Sequence, residues 1–191
     1  MKKTKDAALV WKILEEQIYE QFRIFSIKRS KRVNPRTGKS FDFFLMEGFD
    51  WVNIIPITPE NNVVFVRQYR HGSDEYTIET PGGTAEPGED PKVTALRELE
   101  EETGYVAHEA HYLGALQPNP AMQKMRMHYY VAYNVTRTKA QKLDAGEDIT
   151  VFERPLAEIN EMIQRGEIVH GLIVAAFMLF NIHRSSKEKH T

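Results

Sequence analysis

The chain has no cysteine, which excludes disulfides and thiolate metal sites. It also lacks any apolar stretch of the ~18 residues that a membrane span needs. The opening Met1-Lys2-Lys3-Thr4-Lys5-Asp6 is not followed by the apolar core of a signal peptide. Neither sign of charge dominates: 25 Lys and Arg stand against 27 Asp and Glu, for a net charge of -2. That balance argues against a general nucleic-acid or membrane surface. No internal repeat and no linker interrupts the 191 residues, a length that suits one domain able to bury its core without staples. The expectation is a soluble cytoplasmic protein with neither nucleic acid nor membrane as partner.

What is present concentrates between Pro81 and Tyr105. The first third of that stretch, from Pro81-Gly82-Gly83 to Pro87-Gly88, reads as a loop. Asp90 before Pro91 is a helix start, and Gly104 is the matching stop. On a helix turning about 100° per residue, Ala95, Leu96, Leu99 and Thr103 gather on one side. Glu98, Glu101 and Glu102 gather almost opposite, within a wedge of about 100°. Three carboxylates so placed repel one another, and helix propensity gives no reason for them. A divalent cation turns that repulsion into attraction, and hard oxygen ligands suit Mg²⁺ or Mn²⁺. Glu100 points away from the wedge and is expected on the surface.

The run is part of a longer pattern: Gly83, five residues, Glu89, seven residues, then Arg97-Glu98-Leu99, Glu101-Glu102 and Gly104-Tyr105. With every required position filled, this resembles the full signature of the Nudix hydrolases. Average residue usage gives such a match odds on the order of 10⁻⁷ by chance, so the resemblance is specific. It implies an α/β/α sandwich around a mixed sheet and hydrolysis of a diphosphate, in which water attacks phosphorus beside bound metal. It also implies that Glu98 and Glu102 are direct metal ligands, helped by the Gly82 carbonyl, with Glu101 a ligand or supporting carboxylate. Gly83, Glu89, Arg97 and Gly104 are then structural, Arg97 bridging Glu89 and Glu101.

The flanking sequence is compatible with that fold. Residues 1 to 10 look like a loose terminus. Strands are expected at Phe25-Ser26-Ile27-Lys28 and Ser40 to Glu47, around a turn at Asn34-Pro35-Arg36-Thr37-Gly38. They are too few to bury their own faces. Residues 1–48 are therefore expected to form an N-terminal antiparallel appendage for dimerisation, as the ADP-ribose and nucleotide-sugar branch of the family does. The hydrolase domain follows over 49–184. It has strands at Trp51 to Ile57, Val63 to Tyr69, Val106 to Ala115, Met127 to Val135 and Ile149 to Phe152. Pro155 opens a helix to about Arg165, and His170 to His183 reads as a well-buried final helix. The tail, 185–191, is expected to fray.

Substrate choice lies outside the signature. Arg67-Gln68-Tyr69-Arg70, Glu79-Thr80-Pro81-Gly82-Gly83 and Pro118-Asn119-Pro120 resemble the ADP-ribose and nucleoside-diphosphate-sugar pyrophosphatases. The resemblance implies cleavage to a nucleoside monophosphate and a sugar phosphate. Asn119-Pro120-Ala121 departs from the Pro-Gly that many ADP-ribose enzymes carry there, so other nucleotide sugars (ADP-sugar or GDP-sugar) stay open. Glu147, beside Asp144 and Asp148, is the candidate second metal ligand or catalytic base. Arg70 suits a diphosphate, Glu79 sugar hydroxyls or a partnership with Arg70, and Arg126 and His128 the terminal sugar. Phe22, with Trp51 behind it, is the candidate for base stacking. The alternatives are a Nudix hydrolase for a dinucleotide, an oxidised nucleotide or coenzyme A, and a non-catalytic nucleotide-sugar sensor.

Overall fold

The computed structural model describes residues 9–188. Most of the expected loose N-terminus and the last three residues of the expected frayed tail lie outside the described residues. The chain forms two compact units: one runs up to Phe49 and takes in Gln117–Met125, the other comprises Asp50–Leu116 and the chain from Arg126 onward. The sequence carried no signal for the joining of 117–125 to the first unit.

The first unit is an antiparallel sheet of β1 (Lys12–Gln21), β2 (Phe25–Val33) and β3 (Ser40–Gly48) in that order. The β2–β3 turn closes as its residues dictate. The Asn34 carboxamide oxygen accepts the amides of Arg36 (2.8 Å) and Thr37 (3.2 Å), and Gly38 takes φ +68°, a conformation that glycine adopts without steric cost. Register shifts interrupt β1 near Ile13 and Ile18. Residues 117–125 attach to β3 through Met46, whose N–H donates to Met122 O (2.8 Å) and whose carbonyl accepts Lys124 N–H (3.0 Å). Every residue of β1 is exposed.

The second unit carries a mixed sheet in the order β12-β5-β4-β10-β9. These strands are β4 (Trp51–Ile57), β5 (Asn62–Arg70), β9 (His111–Leu116), β10 (Met127–Tyr133) and β12 (Ile149–Pro155). Only β10 with β4 is parallel. β4 and β5 meet at Ile57 and Val63 alone and then diverge. Beyond that point β5 pairs with β6 (Glu75–Glu79), while β4 pairs with β7 (Gly82–Thr84). The glycine loop thus enters the sheet where two central strands part. A short pair, β8 (Tyr105–Val106) with β11 (Thr136–Arg137), takes the first residues of the single strand expected from Val106.

Alternation along the central strands sends side chains to two helical layers. Val52, Ile54, Val64, Tyr130 and Ala132 pack with Ala95 and Leu99 of α1 (Pro91–Thr103). Ile55, Ile57, Phe65, Tyr129 and Val131 pack with α2 (Ile159–Gln164) and α3 (Gly171–Glu188). This is the α/β/α sandwich around a mixed sheet. Fully burying each such aliphatic side chain contributes roughly 1.5–3 kcal/mol.

Two helices differ from expectation. The one opened by Pro155 begins as a single 3₁₀ turn, Leu156–Glu158, before α2. α3 continues to Glu188, past the point expected to fray, and it is buried along one face only. Ile173, Ala176, Phe177 and Phe180 face the core, whereas Met178 and Ile182 are exposed, because a helix on a sheet has one covered side.

Candidate metal and substrate site

α1 starts and stops as its sequence dictates. The Asp90 carboxylate accepts Lys92 N–H at 2.7 Å, and Gly104, at φ 74°, donates to Glu100 O. The helix so fixed carries Glu98 and Glu102 to the glycine loop. Glu102 accepts the Gly82 amide at 3.0 Å and is buried, at 3 % exposure. The Glu98 carboxylate lies against Gly83, where an added Cβ would overlap it.

Glu101 shares a donor with Glu98. Arg97 Nη1 donates to Glu98 (2.9 Å) and Glu101 (2.8 Å), while its Nε and Nη2 donate to the two oxygens of Glu89 (3.2 Å each). One guanidinium therefore ties the loop acid to the helix. Glu98 and Glu102 face the loop, and Arg97 pairs with both Glu98 and Glu101. Among the described residues no group of three His, Asp or Glu side chains is close enough to enclose a metal ion.

The electrostatics reflect this crowding. Burial pushes Glu102 up to about 8, with the Gly82 amide opposing and Glu98 and Glu147 adding repulsion. Burial likewise raises Glu98, against the pull of Arg97, and Glu101 and Glu147 raise it further. One buried and one half-buried acid held above their ordinary range are what a hard divalent cation relieves. The residues present fit such an ion: the two carboxylates would hold it, with the Gly82 carbonyl within the same loop. When bound, that ion supplies charge neutralisation at phosphate and acidifies water.

Arg70 and Glu79, offered separately for phosphate and sugar, form one bidentate pair at 2.6 Å for each bond. Burial would raise Glu79, but Arg70 and the Thr77 hydroxyl outweigh it and hold the carboxyl below its usual range. Glu147 sits on its loop with a carboxylate oxygen accepting Asp144 N–H at 2.9 Å, and its charge reaches Glu98, Glu102 and Arg70. Arg126 donates its backbone N–H to Asp50 (2.8 Å), and His128 Nε2 lies 2.9 Å from the other Asp50 oxygen. That bond directs the imidazole of His128 to Asp50. Trp51 is half-buried and packs against the core on the α3 side. Phe22 belongs to the first unit, exposed and with its ring centroid 4.7 Å from that of Phe25.

Sequence reasoning passed over Asn53 and Thr80, which hold the glycine loop to β4. The signal was an asparagine inside the otherwise apolar run Trp51 to Ile57.

The family model of the NUDIX domain matches residues 50–177. The chain belongs to the Nudix family. It is 37 % identical over 183 residues to a methanol dehydrogenase activator of Bacillus methanolicus, covering 93 % of this chain and 99 % of that one. It is 30 % identical over 162 residues to an ADP-ribose pyrophosphatase of Bacillus subtilis, covering 82 % and 88 %. A crystal structure of an ADP compounds hydrolase superposes with a TM-score of 0.80 at 22 % identity, over 93 % of this Nudix chain and 95 % of the other. That likeness bears out the sandwich. No described helix is long and apolar enough to cross a membrane.

Proposed function

We propose that the protein hydrolyses the diphosphate of nucleoside-diphosphate sugars, ADP-ribose among them, to a nucleoside monophosphate and a sugar phosphate, using Mg²⁺ or Mn²⁺. The observation that carries this reading is the placement of the Glu98 and Glu102 carboxylates against adjacent glycines of one loop. The similarity to an ADP-ribose pyrophosphatase supports the substrate class. Glu98 and Glu102 hold the cation with the Gly82 carbonyl, and Arg97 keeps Glu89 and Glu101 in register. Glu147 takes the role of base or second ligand from the loop after Asp144. Arg70, with Glu79 fixing its plane, presents its remaining edge to phosphate. Arg126 meets the terminal sugar.

A panel of diphosphates incubated with Mg²⁺, with products identified by mass, tests this. Nucleoside monophosphate plus sugar phosphate from a nucleotide sugar is the expected result. Inorganic pyrophosphate without sugar phosphate, or turnover confined to dinucleotides or coenzyme A, would displace it.

A second reading follows from the similarity to a dehydrogenase activator along almost the whole of both chains: the protein raises the activity of a partner dehydrogenase. Adding it to a methanol dehydrogenase and measuring alcohol oxidation decides between a free-standing hydrolase and an activator.

The protein also acts, in this reading, as a cytoplasmic homodimer through β1–β3. Ile18 (58 % exposed), Tyr19 (65 %) and Phe44 (50 %) support it, since so many bare apolar side chains on one small sheet call for a covering surface. Sedimentation analysis is expected to give a dimer, and a double replacement Ile18→Asp, Tyr19→Asp a monomer. A wild-type monomer at micromolar concentration would refute the dimer.

A further inference from the structure

Asn53 is buried at 3 % exposure in a strand whose neighbours are apolar, and its whole carboxamide is spent on the glycine loop. Its Nδ2 donates to Thr80 O (2.9 Å) and Pro81 O (3.2 Å), while its Oδ1 accepts the Thr80 hydroxyl at 2.7 Å. Pro81 O also accepts the backbone N–H of Ile54 at 2.9 Å. In a trans peptide the carbonyl and the following N–H point in opposite directions from one rigid plane. Two donors holding the Pro81 carbonyl on the β4 side therefore turn the Gly82 N–H the other way, and there it meets Glu102 at 3.0 Å.

We infer that Asn53 is a positioning residue for Glu102: by fixing the Thr80 and Pro81 carbonyls it aims the Gly82 amide that holds this carboxylate. Thr80 completes the device, because its hydroxyl locks the Asn53 carboxamide in the orientation that presents both donors to the loop. The residue before β4 holds the loop's exit as well, where Ala85 N–H donates to Asp50 O at 3.0 Å, next to the pairing of Trp51 with Thr84. The loop is thus fixed at both ends to one strand, with the two carboxylates of α1 between. The inference rests on the proposed metal role of Glu98 and Glu102.

The test uses the full chain with Asn53→Ala, Thr80→Val and Thr80→Ser, read by Mg²⁺ activation and by amide hydrogen exchange at Gly82 and Gly83. Thr80→Val guards against Asn53→Ala failing to fold. Partners that orient a metal ligand are worth 10–100-fold in metal affinity. The half-activating Mg²⁺ concentration is therefore expected to rise roughly 10-fold or more in the first two variants, while kcat at saturating Mg²⁺ recovers most of its wild-type value. Gly82 exchange is expected to accelerate in the same two, and Thr80→Ser to restore both readouts. A lower melting temperature with the Mg²⁺ curve and Gly82 exchange unchanged would overturn the inference, as would failure of Thr80→Ser to restore them. If the wild type shows no Mg²⁺-dependent hydrolysis, the functional reading falls, and Gly82 exchange in the variants still decides whether Asn53 sets the loop.

Discussion

Replacing Glu102 by Gln is expected to lower kcat roughly 10³-fold, in the range that loss of a preorganised transition-state charge group costs, without destabilising the metal-free protein. The side-chain oxygen that accepts the Gly82 amide survives in glutamine, so the loop keeps its anchor. What disappears is a buried charge. Burial holds Glu102 at about 8 in the fold, above the ordinary 4.5, and the sign follows from linkage. Below 4.5 both folded and unfolded chains keep the proton, so the group adds nothing. Between 4.5 and 8 the unfolded chain ionises first, and stability falls as pH rises through that window. The variant lacks this loss. Thermal melts in chelator should show Glu102→Gln melting above the wild type at pH 8, with the difference gone at pH 4. Wild-type activity would mean that Glu102 is not a ligand, and equal melting at pH 8 that it is not a strained charge.

Adjacent glycines should answer to alanine in opposite ways. At Gly82 a Cβ would run into the backbone carbonyl of Val52, within the β4–β7 pairing of Asn53 with Gly82, and nothing there can give. The expected cost is about 3 kcal/mol or more, a fall in melting temperature of roughly 6–12 °C. At Gly83 the Cβ meets only the far end of the Glu98 side chain, which swings aside. Gly83→Ala should fold with stability within about 1 kcal/mol of wild type yet lose roughly 10²-fold in activity as that carboxylate leaves the loop. Circular dichroism melts and turnover measured on both proteins separate the two. A folded, fully active Gly83→Ala would show that the Glu98 position carries no function.

The difference in what a Cβ would meet at these neighbours was invisible in the sequence, because it depends on the β4 backbone and the Glu98 side chain. α1 was legible because its determinants are local: Asp90 and Pro91 at one end, Gly104 at the other, and an apolar period between. The bridging of Glu89 and Glu101 by Arg97 came from the resemblance. The burial of Glu102 was not legible, because a helical wheel assumes solvent opposite the apolar side, whereas the glycine loop covers that side. Nor was the bond from Arg97 to Glu98, since spacing places three acids on a wedge without saying that one guanidinium nitrogen takes two of them. The parting of β4 from β5 and the joining of 117–125 to the first unit depend on contacts far apart in the chain. Asn53 was visible as an anomaly in an apolar strand, and only the loop's position gives it a partner.

The most direct test of the central claim is binding of Mn²⁺ to the substrate-free protein, followed by loss of the free-ion electron paramagnetic resonance signal. Saturable binding is expected of the wild type, and binding weakened at least roughly 10-fold by Glu98→Gln and by Glu102→Gln. Equal binding by all three proteins would contradict it.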